Sequence, residues 1–538
     1  MIHYKLAREL RILIIEHQIF SKGYLRYSME ELGFRNIDYT KTANEAKEAL
    51  NTVRYDLILC AYDLKEEQEG YFLYTELLEH KALPPSTAFV FISADTSPDI
   101  VNSIVELQPD DFIARPFSVK DLDKRLSRLI KRKQALKPVY TCVEKNALDD
   151  ALFQTEQFLL EPKNAEFFPV ALKLKGELLL ACGQFEAARE FYLAILNVQK
   201  FTWAQIGLVK CHIHLNQDEE AEKLILALAF QNDSKLVAYD LLSALKIKQQ
   251  EFDDALESVM EAAQLSPRNI QRHRHAMDLS RLTHDYESRF EAAKKIIRFA
   301  KNSIHDTPEV YLSVARAGID YAMTADEDQT QSLIRQSKEY LKRLRSRFSD
   351  DELTEQLKVI DARLLYLQDE TEKALALLSQ LSDDGWGDEC AEALLDKAKA
   401  FHTLGLQEHA LTILDTIDRR CNEAPPEDNL FLSYIRMERQ EKAAIALPPR
   451  ALNNLAVNQY QQGDIHAALE SFRQAFTIMP KNPAIALNLL QAIATNNTQS
   501  DSDDKRVHAC MKILESNPLS AEQEQRYLKI RTLLQDWG

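Results

Sequence analysis

The chain has 538 residues, 12 of them glycine, and 83 acidic against 66 basic side chains give a formal net charge of −17. Glycine at about 2%, where an average protein holds roughly 7%, leaves little for glycine-rich phosphate loops, collagen-like repeats or turn-dense β folds. The negative charge repels phosphate backbones and anionic membranes, so nucleic acid is not an expected partner, and no apolar stretch approaches the roughly 18 residues of a membrane span.

In chain order, the first elements are short apolar runs: Arg11–Ile15, Asp56–Cys60 and Ala88–Ile92, with a further strand at Phe112–Ala114 and a helix over Val119–Leu129. Runs this short, rich in β-branched and aromatic residues and separated by helix-length stretches, predict buried parallel strands in βα units. Chemistry in such a sheet sits at the carboxyl ends of the strands. There the sequence places Glu16 and His17, then Ala61 with Asp63 two residues on, then Ser93, and finally Phe112 and Arg115 before Pro116. The basic stretch Lys124–Lys133 carries leucines at helical spacing and reads as a solvated helix face.

The stretches LIIEHQ, YDLILCAYDL, FISADTSPDIV and DDFIARPFS resemble, in order and spacing, the receiver domain of bacterial response regulators. That resemblance implies a flavodoxin-like, five-stranded doubly wound parallel sheet. In that family an acidic pair and an aspartate acceptor hold Mg²⁺, and the acceptor takes a phosphoryl group from a histidine kinase. Here Glu16 matches the first acid, His17 stands in place of the second, and Ala61 stands at the acceptor. Ser93 matches the hydroxyl position, Phe112 the aromatic switch position and Arg115 the lysine. Two of three metal-holding carboxylates are missing, and Mg²⁺ wants oxygen ligands. The expectation is a pseudoreceiver with no cofactor, its Mg²⁺ binding lost or weak. Asp63 is a poor substitute acceptor, because the family uses that position's backbone carbonyl. Glu16 and Arg115 are expected to form a bidentate ion pair.

Beyond Pro138 the phrases ending at Ala188, Ala221, Ala255 and Arg289 recur at a spacing of 33 or 34, the mark of tetratricopeptide (TPR) helix pairs. Further phrases end at Ala374, Ala410 and Ala468, and Ala451–Pro480 is the cleanest unit. The expected plan is a receiver over 1–135, a linking helix in 136–165, about eight TPR pairs over 166–495 and capping helices over 496–538. Thr495–Asp504 reads as a loop. Asn454 and Asn488, 34 apart, fall on equivalent groove positions where amides can bond an extended peptide.

His212 with His214, and His273 with His275, stand two apart and so point to different faces of a helix, against a metal site. Seven cysteines show no C-x-x-C pair, and no Ser-His-Asp order, H-E-x-x-H or P-loop appears. The expectation is a non-enzymatic cytoplasmic protein, similar to bacterial response-regulator/TPR proteins and, in its altered acceptor, to the auxiliary regulators of three-component sensory systems. The implied partners are a sensor histidine kinase or phosphorelay protein and a protein or peptide ligand in the TPR groove. The implied action is inhibition of kinase activity or phosphotransfer. The alternatives are a phosphorylatable regulator with TPR output and a TPR adaptor whose receiver is a dimerisation module. The Phe112–Leu129 face, where active receivers often pair, makes a homodimer an option.

Overall fold

Apolar runs too short for helices pair side by side in this computed structural model. It describes all residues except 1–3, 65–68, 302, 350–352, 382–388, 423–429, 497–500, 518 and 536–538. The chain divides into two compact units, residues 1–272 with 299–306, and residues 273–298 with 307–538.

The first unit begins with α1 (Tyr4–Glu9), β1 (Arg11–Ile15), α2 (Ile19–Glu31), β2 (Asn36–Thr40), α3 (Ala43–Thr52), β3 (Leu57–Ala61) and α4 (Gly70–Glu79). It continues through β4 (Ala88–Ser93), α5 (Pro98–Leu107), β5 (Asp111–Ala114) and α6 (Val119–Ala135). All strands are parallel, in the order β2-β1-β3-β4-β5. Central β3 and β4 are buried throughout, whereas β2 alternates with exposed positions at one edge. That is why β2 shows no apolar run to a sequence reading. The basic stretch of α6 is only partly solvated. Arg125 grips Asp111 through two bonds of 2.8 and 2.6 Å, and Arg132 and Lys133 reach Asp110 at 2.7 and 2.9 Å.

From here the chain is helical. Helices α7 (Lys137–Glu144) and α8 (Leu148–Leu160) precede a short 3₁₀ turn, then α9 (Phe168–Ala181), α10 (Phe185–Val198), α11 (Thr202–His214), α12 (Asp218–Ala229), α13 (Lys235–Lys248) and α14 (Phe252–Leu265). Next come α15 (Ile270–Leu282), α16 (Tyr286–Ala300), α17 (Pro308–Ala322), α18 (Glu327–Arg347), α19 (Thr354–Leu367) and α20 (Thr371–Leu378). The remainder is α21 (Ala391–Thr403), α22 (Gln407–Asn422), α23 (Leu430–Ala444), α24 (Pro449–Gln461), α25 (Ile465–Ile478), α26 (Pro483–Asn496), α27 (Asp501–Ser516) and α28 (Ala521–Gln535). The phrase alanines Ala188, Ala221, Ala255, Ala374, Ala410 and Ala468 are all fully buried, as close helix approach requires.

In most pairs the turn holds one residue in the left-handed region: Asn146, Gly183, Asn216, Gln250, His284, Asp369, Gly405 and Gly463. Glycine is the easy occupant of that helix C-terminal position, but most of these turns manage without it. Asn146 shows that α7 and α8 already form such a pair, so residues 136–165 are not a single linking helix. At the far end α26 runs to Asn496 and α27 starts at Asp501, so helix replaces most of the loop expected over Thr495–Asp504; residues 497–500 lie outside the described ones.

Tyr192 plugs the seam between repeats. A Cβ on Gly207 would stand 2.2 Å from its ring and one on Gly176 2.6 Å from it, while Tyr192 itself is 2% exposed. Gly207→Ala is expected to lower stability by about 1–3 kcal/mol through overpacking, read as a fall in the urea midpoint at constant m-value. Trp203 packs beside this plug, stacked on Phe201 at 5.7 Å, consistent with a role in repeat packing.

Candidate functional site

The parallel sheet brings the carboxyl ends of β1, β3, β4 and β5 to one edge. Glu16 follows β1 and is 1% exposed. A carboxylate so buried needs partners, and it has two donors with a third nitrogen nearby. Arg115 donates Nη2–H to Oε2, the Gln18 backbone N–H reaches Oε1 at 2.9 Å, and the His17 Nδ1 lies 3.5 Å from Oε1. Arg115 turns its other terminal nitrogen to the Ser21 hydroxyl at 2.9 Å. The expected bidentate pair is therefore a single carboxylate contact, because Gln18 and Ser21 take the remaining bonding positions.

Ala61 ends β3 and is 6% exposed. A methyl group offers neither a nucleophile nor a metal ligand there. Asp63 is exposed two residues on. Ser93 ends β4, but its hydroxyl is committed to a local turn: it donates to the Asp95 carbonyl at 3.0 Å and accepts from the Asp95 N–H at 3.0 Å. Phe112 is half-buried on β5. Burial, with the charge of Glu16, pushes the neighbouring Cys60 thiol far up, so it is no nucleophile at neutral pH. The site thus brings Glu16 and Arg115 together as an internal ion pair. No group of three or more His, Cys, Asp or Glu able to hold a metal occurs among the described residues. Beside this edge, Ile19 and Phe20 at the start of α2 are 83% and 94% exposed.

The groove residues fare differently. Asn454 on α24 is exposed. Asn488 on α26 is half-buried and accepts from Arg526 of α28 at 3.1 Å, with Gln491 sharing the same guanidinium. The chain's own last helix thus occupies one of the two amides. His212 bonds Gln217 at 2.7 Å and His214 stacks on Phe185 at 4.3 Å. His273 is 1% exposed while His275 is exposed, so His273 is a core residue and not a surface or groove histidine.

The second unit holds a cluster that the sequence reading passed over. Asp320 of α17 receives Arg289 of α16, Arg363 of α19 at 2.5 Å and Lys399 of α21 at 2.7 Å. Arg363 also reaches Asp396. Arg281 forms a two-bond pair with Glu392 at 2.8 and 2.7 Å, and Glu438 bonds the Tyr434 hydroxyl at 2.8 Å and Lys442 at 3.1 Å. Against burial, Lys399, Arg363 and Arg289 hold Asp320 well below the usual carboxylate range. Against burial too, Arg281 holds Glu392 at about 2, and Lys442 with Lys399 holds Glu438 at about 2. Burial, with Lys442 beside it, lowers His402 to about 4. Asp320 stands 31 residues from Arg289, 43 from Arg363 and 79 from Lys399, and Arg281 stands 111 from Glu392, so each is unremarkable alone.

Residues 12–127 match the response regulator receiver domain, and residues 449–474 match a tetratricopeptide repeat. The chain is similar to the transcriptional regulatory protein PmrA of Pectobacterium parmentieri, 23% identical over 208 residues that cover 38% of this chain and 88% of that protein. It is also similar to the transcriptional activator protein IrlR of Burkholderia pseudomallei, 29% identical over 175 residues, 32% of this chain and 73% of that one. Among solved structures, the signal receiver domain of a signal transduction histidine kinase from Syntrophus aciditrophicus is 27% identical with a TM-score of 0.21, over 23% of this chain and 90% of that one. A tetratricopeptide repeat protein from Parabacteroides merdae is 11% identical with a TM-score of 0.29, over 57% of this chain and 98% of that one.

Proposed function

From a chain that carries a response regulator receiver domain followed by tetratricopeptide repeats, we propose a non-enzymatic regulator of two-component signalling. It binds a sensor histidine kinase or its phosphorelay partner and inhibits phosphoryl flow. The observation that carries this reading is the alanine at the end of β3, next to a glutamate already bonded by Arg115 and Gln18. A receiver of this shape can dock where an active receiver docks and yet offers no carboxylate at position 61 to take the phosphoryl group. It then occupies the kinase unproductively. The helical array supplies a second contact, and two linked contacts raise avidity without new affinity at either. Exposed Ile19 and Phe20 beside the site give the docking face an apolar centre.

Affinity capture from the native cytoplasm identifies the kinase, and titration of the full chain into that kinase with labelled ATP tests the action. Autophosphorylation or onward transfer is expected to fall as the protein is added, and no change at saturation ends the proposal. Phe20→Asp, on a side chain that is 94% exposed, is expected to weaken kinase binding by roughly tenfold or more with the fold intact. A stable aspartyl phosphate after incubation with acetyl phosphate, at Asp63 or elsewhere, would favour a phosphorylatable regulator instead.

A further inference from the structure

Within the first unit, the edge of the receiver site continues into a second contact. The Gly70 N–H bonds the Tyr62 carbonyl at 2.8 Å, and the Gly70 Cα lies so close to the Ala61 carbonyl that a Cβ there would stand 2.3 Å from its oxygen. These contacts hold Ala61, Tyr62 and Gly70, with Glu69 beside it, together as one piece of the edge. Against that piece sits the turn between α14 and α15, some 200 residues along the chain. Arg268 donates to the Glu69 carboxylate and lies over the Tyr62 ring, 5.7 Å from its centroid.

The contact extends along the receiver's α4–α5 face. Glu106 on α5 accepts from Arg272 at 2.7 Å and from the Asn269 amide, and Asn102 donates to the Leu265 carbonyl at 3.3 Å. His305 lies 3.6 Å from Glu79 at the end of α4. The receiver side presents Glu69, Glu79 and Glu106, and the array side answers with Arg268, Arg272 and His305. Arg272 is anchored in the array by two bonds to Asp240 of 2.9 and 2.8 Å. Arg268 has no such anchor and serves the receiver alone among the contacts described.

We propose that the Pro267–Arg272 turn is a latch that clamps the β3–α4 edge of the receiver to the helical array. The array then sets the conformation of this edge, a task that phosphoryl chemistry performs in an active receiver. A partner that prefers the released receiver is held off by the latch, and one that binds the latched form tightens it; the coupling is reciprocal. The latch stands on these contacts and does not depend on which kinase the receiver meets.

Hydroxyl-radical footprinting of the full-length chain tests it through Tyr62 and Tyr71, each 3% exposed beside the latch, against Tyr74, packed on Phe89 and Phe91 inside the receiver. Arg268→Glu is expected to raise Tyr62 oxidation several-fold while Tyr74 stays protected. Adding Glu69→Arg to Arg268→Glu is expected to restore protection by reversing the pair. Tyr62 remaining as protected as Tyr74 in both Arg268→Glu and Arg268→Gln overturns the latch. Simultaneous loss of Tyr74 protection in both also overturns it, because the contact would then belong to the receiver's own fold.

Discussion

Asp320→Ala is expected to cost the second unit about 3–5 kcal/mol, the typical penalty for removing one member of a buried ion cluster. Asp320 is 5% exposed and neutralises Arg289, Arg363 and Lys399 at once, groups that are 3%, 3% and 7% exposed. Deleting the carboxylate removes the anion that these three buried cations share and leaves Arg363 its contact with Asp396. Asp320→Asn keeps the shape but not the charge, and is expected to recover only a small part of the loss. Urea denaturation of the full chain, followed by hydrogen exchange on α17, α19 and α21, measures it. A loss below about 1 kcal/mol, the usual worth of an exposed pair, would assign the cluster no structural weight.

The same cluster contributes to the pH response. Glu392 and Glu438 titrate at about 2 in the folded unit, below the ordinary glutamate value, so the unfolded chain binds their protons first. Their stabilisation is present above the ordinary value of 4.5 and is lost as pH falls from there toward about 2. His402 acts in the same direction: lowered from 6.5 to about 4, it is protonated more readily in the unfolded chain, and stability drops through that window. The second unit is therefore expected to melt at a lower temperature at pH 4 than at pH 7. An unchanged midpoint would contradict the cluster's role.

Rebuilding the receiver site is the other large effect. The triple variant Ala61→Asp, His17→Asp, Arg115→Lys is expected to take up Mg²⁺ and accept a phosphoryl group from acetyl phosphate, detected as the mass increment of one phosphoryl group. The first change supplies the nucleophile. The second adds a hard oxygen ligand beside Glu16. The third loosens the guanidinium that now holds Glu16, since a lysine makes a compact point contact in place of a planar fork. Ala61→Asp alone is expected to be phosphorylated far more weakly, because Glu16 remains engaged by Arg115. A triple variant that folds, binds Mg²⁺ and takes no phosphoryl group would show that the lost chemistry lies elsewhere in the site.

Much of this site was legible in the chain. Positions 16, 17, 61, 93 and 115 follow runs whose composition makes them buried parallel strands, and parallel strands bring their carboxyl ends together. What each side chain does once there was less legible. Glu16 and Arg115 could be paired by position, but the claims of Gln18 and Ser21 depend on how α2 leaves the sheet. Strand β2 escaped notice because an edge strand with alternate exposure carries no apolar run. The α7–α8 pair escaped because its own buried alanine, Ala151, stands 37 residues before Ala188, off the 33 or 34 spacing. Asn488 suggested a free peptide-binding amide, and the fold spends it on Arg526.

The sequence alone determined the two architectures, because both rest on local periodicities: apolar runs of strand length in the first 135 residues, and small residues recurring near every 34 thereafter. Packing of small residues between helices works the same way in every repeat, so its signature repeats. Only the tertiary structure decided where the charges go. Arg281, Asp320, Arg363, Lys399 and Glu438 look like solvated helix faces one by one, and Arg268 lies 199 residues from its partner Glu69. An ion pair depends on distance in space and on exclusion of water. Both arise only when separate helices superpose, and no local pattern along the chain encodes them.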